Sequence, residues 1–139
     1  TIILASQNRE IPIYGNGKNI RDWIFVDDHC DAVLKVLLEG KSGYSFNISA
    51  NNETDNLTIV KKILEIMDKP FDLIKFVDDR PGHDFRYSLD SSNIRTNLNW
   101  SENTSFDNGL RKTVDWYLAN TDLWKDLSPD ILKSMPWKN

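Results

Sequence analysis

The chain has 139 residues, 40% hydrophobic and 27% charged, a balance that suits one globular domain (1–139) with a modest core. Its net charge of −4 supplies no basic footprint for nucleic acid, although two or three well-placed arginines still favour an anionic small ligand locally. One cysteine, Cys30, rules out an intrachain disulfide and suits a cytoplasmic setting; with only His29 and His83 it makes no metal cluster, and no run approaches the ~20 apolar residues that span a bilayer.

The start, Thr1-Ile2-Ile3-Leu4-Ala5, lacks a basic n-region and is too short for a signal peptide. It reads as a helix already under way, so the chain is expected to be a fragment of something longer. Ile11-Pro12-Ile13-Tyr14 predicts a strand that meets a turn at Gly15-Asn16-Gly17. Ile20 to Val26 predicts a second strand. Asp27 or Asp28 is expected to cap a helix whose Cys30, Val33, Leu34, Leu37 and Leu38 fall on one apolar face, with Gly40 as its stop. Tyr44 to Ile48 predicts a strand, completing a βαβ unit.

After a polar loop, 49–55, Asn56 is the expected N-cap of a helix carrying Val60, Ile63, Leu64 and Met67, closed by Pro70. Ile74 to Val77 predicts a short strand. Ser91 starts a short helix through Leu98. Thr104 with Asp107 resembles a capping box, ahead of a helix burying Phe106, Leu110, Val114 and Tyr117. Residues 122–139 are expected to form a short helical tail.

The segment Asp78-Asp79-Arg80-Pro81-Gly82-His83-Asp84 carries the most chemistry. Pro81 fixes its own φ and Gly82 permits a left-handed turn, so the backbone bends just after Arg80. An arginine on such a turn presents a planar fork to phosphate, and His83 adds a donor. A loop in which Arg80 pairs with Asp79 or Asp84 explains the same residues. Arg21, in Ile20-Arg21-Asp22-Trp23, reads alone as a surface arginine paired with Asp22, yet a diphosphate accepts two guanidinium groups. Tyr14 fits a base pocket or a half-buried strand position. Asn56 fits a phosphate contact at a helix N-terminus or an ordinary cap. His29 lacks a nucleophile at known spacing and reads as structural, and Asp27 and Asp28 suit a helix start. There is no Gly-x-Gly-x-x-Gly loop after a strand and no phosphate-binding loop of the Walker type.

The string from Ile11 to His29, with Tyr44 to Ile48, Asp79 to Tyr87 and Gly109 to Leu118, closely resembles the C-terminal part of dTDP-glucose 4,6-dehydratases, members of the extended short-chain dehydrogenase/reductase group. The resemblance runs to about Asp126, and Arg80-Pro81-Gly82-His83-Asp84 is its most specific part. It implies an α/β fold: the C-terminal substrate-binding portion of a Rossmann-type enzyme, with short strands and four to five helices. The implied parent is a homodimeric, cytoplasmic lyase of deoxysugar biosynthesis that turns dTDP-glucose into dTDP-4-keto-6-deoxyglucose. In it a bound NAD takes a hydride from sugar C4, water leaves across C5–C6, and the hydride returns to C6.

By resemblance, Pro12, Ile13 and Tyr14 line the thymidine pocket. Arg21 and Asn56 meet the diphosphate. Arg80 meets phosphate and ribose, with Asp79 and His83 beside it. The group's dinucleotide loop, Tyr-x-x-x-Lys pair and Asp-Glu acid/base pair have no match, so no catalytic, cofactor or metal residue is expected here and the chain alone is expected to be inactive. Tyr44 to Ile48 would belong to a larger parallel sheet and lack a neighbour. An epimerase or decarboxylase of the same group is the alternative, against which the Arg80 loop argues; a non-catalytic nucleotide-sugar-binding module is another.

Overall fold

The computed structural model describes residues 1–127; the expected tail beyond 127 lies outside them. Backbone contacts divide the chain into two compact units.

The first unit comprises Thr1–Asn19, Asp55–Phe85 and the chain from Arg111. It holds α1 (Ile2–Ser6), β1 (Ile11–Tyr14), α3 (Asn56–Ile66) and β4 (Ile74–Val77). Strands β1 and β4 pair in parallel, Ile11 opposite Ile74 and Tyr14 opposite Val77. Alternation along β1 buries Ile11 and Ile13 and leaves Pro12 and Tyr14 half-buried on the other face. The buried side joins Leu4 and Ala5 of α1 to Val60 and Leu64 of α3, with Met67, Leu73 and Ile74 packed around them. The helical spacing of Val60, Ile63 and Leu64 thus does what its periodicity predicts.

The cap of α3 is one residue earlier than expected. Asp55 Oδ1 accepts from the Thr58 amide at 2.9 Å, and Asn56 is the first helical residue. Aspartate outcompetes the neighbouring amide because its charge also suits the helix N-terminus.

The second unit comprises Ile20–Thr54 and Arg86–Leu110. Here β2 is only Ile20–Asp22, within a three-stranded sheet of order β3-β2-β5, where β3 is Glu53–Asp55 and β5 is Arg86–Tyr87. The expected strand through Val26 gives way to α2 (Val26–Glu39). Asp28 does not cap that helix; its two carboxylate oxygens accept from the Asn103 and Thr104 amides, both at 3.1 Å. The expected cap at Thr104 is displaced by one residue: α5 (Phe106–Ala119) starts after Ser105, whose carbonyl accepts from the Gly109 amide. Within α5, Val114 is fully buried.

The apolar face predicted for α2 is present but not covered. Val33, Leu34, Leu37 and Leu38 are 48–77% exposed, whereas Ala32 is buried with Ile94, Leu98 and Trp100, and Val36 packs against them. Of these, Ile94 and Leu98 belong to α4 (Ser92–Leu98), which begins beside its Ser91 cap. Tyr44 to Ile48 is not a strand. Phe46 and Ile48 still turn toward the core while Tyr44, Ser45 and Asn47 stay exposed. In place of a ladder, the Asn93 side chain donates to Ser45 O and Asn47 donates to Asp90 O. The period of a strand is there, but among the described residues no strand pairs with it. Among the described residues the expected βαβ unit therefore does not form; β1 pairs in parallel with β4 and β2 with β5.

Arg86 of β5 grips Glu53 of β3 through two nitrogens, at 2.8 and 2.5 Å. Hydrogen bonds from Arg86 first, then Ser88, hold the Glu53 carboxyl down at about 2. A carboxyl depressed in the folded state contributes stability above its ordinary range, and that contribution is lost as pH falls through about 2. A carbon-13 titration of Glu53 is expected to show this low midpoint, and Arg86→Ala to return it toward the ordinary glutamate range. Asp55→Ala is expected to lower unfolding free energy by about 1 kcal/mol in urea denaturation, the usual loss for an N-cap.

Candidate functional site

In the first unit the parallel register carries the chain from Val77 into the Asp79–Asp84 loop beside the end of β1. The Gly15 amide donates to Val77 O at 2.9 Å and closes this end of the pair. Gly15 has φ +56°, and a Cβ placed there would stand 2.9 Å from Asp79 Oδ2. Glycine is required twice over, for the backbone and for the carboxylate beside it.

Asp79 organises the loop. Its Oδ1 accepts from the Arg80 amide at 2.8 Å and lies 2.6 Å from His83 Nδ1. The His83 bond is the main reason that its carboxyl titrates below the usual range; partial burial opposes this, and the Arg80 amide assists it. Gly82 takes φ +69°, and the His83 amide donates to Arg80 O, so the turn brings the imidazole back over Arg80. Arg80 Nη2 then stands 2.7 Å from His83 Nε2, with its guanidinium 5.6 Å from the centre of the Tyr14 ring.

Two acidic partners for Arg80 compete in the sequence, Asp79 and Asp84. In the folded loop, Asp79 Oδ1 is directed at the Arg80 amide and the imidazole, and the Asp84 main-chain carbonyl, not its carboxylate, accepts from Asn19 Nδ2 at 3.3 Å. Other arginines are matched differently. Arg86 sits on Glu53, and Arg95 lies 2.6 Å from Glu102. Arg80 is exposed, and the contacts that orient it are a ring and an imidazole. A guanidinium held by an imidazole and an aromatic ring, with the Asp79 carboxylate acting on it through space, keeps N–H donors for an anion.

The remaining expected residues fall as follows. Pro12 and Tyr14 share the half-buried face of β1, whereas the Ile13 side chain is in the core and can serve a ligand only through the strand it holds in place. Asn56 is half-buried at the start of α3, and its amide donates to Asn19 O. The Leu57 and Thr58 amides are also engaged, by Gly17 O and Asp55 Oδ1, so these first-turn N–H groups already have protein acceptors. Arg21 belongs to the second unit, where its Nη1 donates to Ile20 O at 2.6 Å. Its expected partner Asp22 has another task, accepting from the Ala50 and Asn52 amides.

Two members of the cluster had no mark of their own in the sequence. Asn19 is 5% exposed and lies 3.4 Å from His83 Nδ1; an asparagine after a glycine turn looks like any loop residue. Gly15 looked like a turn signal only. Gly15→Ala is expected to destabilise the fold by about 1 kcal/mol or more in denaturant unfolding, since φ is positive and the new methyl meets Asp79. Unchanged stability would mean that the Asp79 carboxylate moves aside freely.

A family model described as GDP-mannose 4,6 dehydratase matches residues 1–113. The dTDP-glucose 4,6-dehydratase of Neisseria meningitidis is 43% identical over 137 residues, covering 91% of this chain and 39% of that protein. The crystal structure of dTDP-glucose 4,6-dehydratase from Bacillus anthracis in complex with NAD is similar at TM-score 0.86 and 37% identity, over 91% of this chain and 40% of that one. DesIV, a dTDP-glucose 4,6-dehydratase of Streptomyces venezuelae solved with NAD and TYD bound, is similar at TM-score 0.88 and 34% identity, over 91% and 39%. The chain thus spans about two fifths of the length of these relatives, with the α/β fold of the Rossmann-type dehydratases and epimerases. The chain belongs to the GDP-mannose 4,6 dehydratase family.

Proposed function

We propose that residues 1–139 are the nucleotide-sugar-binding domain of an NAD-dependent lyase that converts dTDP-glucose to dTDP-4-keto-6-deoxyglucose, a step of deoxysugar biosynthesis. The observation that carries this reading is Arg80, exposed on the Arg80-Pro81-Gly82-His83 turn and oriented by His83 and the Tyr14 ring. Its free N–H donors suit the oxygens of a nucleoside diphosphate, and the Tyr14 edge of β1 suits a base. Pro12 and Ile13 set that edge, and Asn56 stands next to Asn19 at the border of the same cluster. The names of the relatives support the choice of dTDP-glucose among nucleotide sugars.

NAD supplies the hydride chemistry in such a lyase, and the glycines of this chain do not fit it. A dinucleotide loop needs room for a pyrophosphate at a helix start. The Gly15–Gly17 turn leads toward β2, and a Cβ at Gly17 would meet Ile13 and Leu57. That room is filled by the protein itself. We therefore assign these residues to substrate holding, with NAD bound by the rest of a longer, homodimeric and cytoplasmic enzyme. No helix among the described residues is long and apolar enough to cross a membrane.

Titration calorimetry with dTDP tests the reading. Arg80→Ala is expected to weaken binding by roughly 1.5–3 kcal/mol, the loss of a charge-assisted hydrogen-bond pair. Arg80→Lys should recover only part, because an ammonium lacks the fork. An unchanged affinity in Arg80→Ala rejects Arg80 as a ligand, and tighter binding of UDP than of dTDP favours the epimerase reading. The 139-residue chain incubated with dTDP-glucose is expected to form no 4-keto product.

A further inference from the structure

The atoms around His83 determine where its ring proton sits. Nδ1 faces Asp79 Oδ1 at 2.6 Å, and Nε2 faces Arg80 Nη2 at 2.7 Å. Asp79 is an acceptor, and arginine is a donor that does not give up its proton in a protein. A neutral ring protonated on Nε2 would set N–H against N–H at Arg80 and lone pair against lone pair at Asp79. A doubly protonated ring would satisfy Asp79 but press Nε2–H on the guanidinium. Of the two short contacts, to Asp79 and to Arg80, only the neutral ring with its proton on Nδ1 gives each one donor and one acceptor. Asn19 Nδ2, also near Nδ1 at 3.4 Å, then serves the Asp84 carbonyl. The His83 side chain is 6% exposed, so water offers little substitute for a mismatched contact.

We propose that His83 is a positioning residue and not a ligand contact: held by Asp79 as the neutral Nδ1–H tautomer, it accepts from Arg80 through Nε2 and locks the guanidinium against Tyr14 for an incoming diphosphate. The ligand in this statement rests on the function proposed above; the tautomer does not. The arrangement runs in one direction, from carboxylate to imidazole to guanidinium to phosphate. Each bond in such a chain polarises the next. A guanidinium held in this way by the imidazole and the Tyr14 ring has less freedom to lose on binding, which lowers the cost of ordering it.

Histidine-selective nitrogen-15 labelling tests the tautomer in the ligand-free chain. The sequence holds two histidines, and His29→Asn identifies the signal of the other. At neutral pH the spectrum is expected to show a protonated Nδ1 and an unprotonated Nε2 for His83, and Asp79→Ala to move both nitrogens toward a mixture of tautomers. A protonated Nε2 in the unmodified chain overturns the proposal, whatever dTDP does. For the positioning role, dTDP titration of His83→Ala is expected to show about tenfold weaker binding, the scale of one hydrogen bond to a charged group. His83→Gln should restore most of it, because its amide oxygen accepts near the place of Nε2. Equal losses in both variants overturn the positioning role. Failure of the unmodified chain to bind dTDP, with the Nδ1–H tautomer present, sinks the nucleotide reading instead and with it the ligand named here.

Discussion

The parallel register of β1 on β4 is the constraint on which the candidate site depends. It sets Tyr14 opposite Val77 and joins Gly15 to the same residue. Arg80 comes three positions past Val77, so its guanidinium reaches the Tyr14 ring without a long loop. A slip of one residue would turn Tyr14 inward and Ile13 outward, because side chains alternate. The core forbids that slip: Ile11 and Ile13 are packed with Leu4, Ala5, Val60 and Leu64, and exposing both would forfeit about 1.5–3 kcal/mol for each. Hydrophobic burial in α1, β1 and α3 thereby positions a charged group that touches none of it.

Within the loop, one carboxylate sets the state of two other groups. Asp79 takes the Arg80 amide and faces the His83 imidazole, and the imidazole reaches back to the Arg80 side chain. The acid nearest the arginine in sequence is thus occupied elsewhere. Had Asp79 closed on the Arg80 guanidinium, the pair would resemble Arg86 with Glu53, a clamp between strands. An arginine beside an acid thus gives a structural clamp in one place and an oriented, exposed cation in the other. The difference lies in what the backbone turn puts between them.

The periodic elements were legible from the sequence because their cause is local. The strand Ile11–Tyr14 alternates and the helix carrying Val60, Ile63 and Leu64 repeats as burial on one face demands, while Ile74–Val77 forms the expected strand without alternating in burial. The misplacements have another origin. Asp28 was eligible to cap a helix, yet it binds the Asn103 and Thr104 amides far along the chain. Tyr44 to Ile48 has the alternation of a strand but no partner strand among the described residues. Local pattern describes which way a side chain faces, and a ladder or a cap also needs the group on the other side.

By itself the sequence determined that an arginine would stand on a sharp turn with a histidine and acids around it, since Pro81 and Gly82 dictate the bend. It also determined the family, through strings of residues shared with the dehydratases. Only the tertiary structure decided which acid meets which base. It placed Tyr14 beneath Arg80, Asn19 at His83 and Gly15 against Asp79, from segments some sixty residues apart along the chain. Those contacts depend on strand register and on a buried apolar layer, which a linear pattern of charges does not encode.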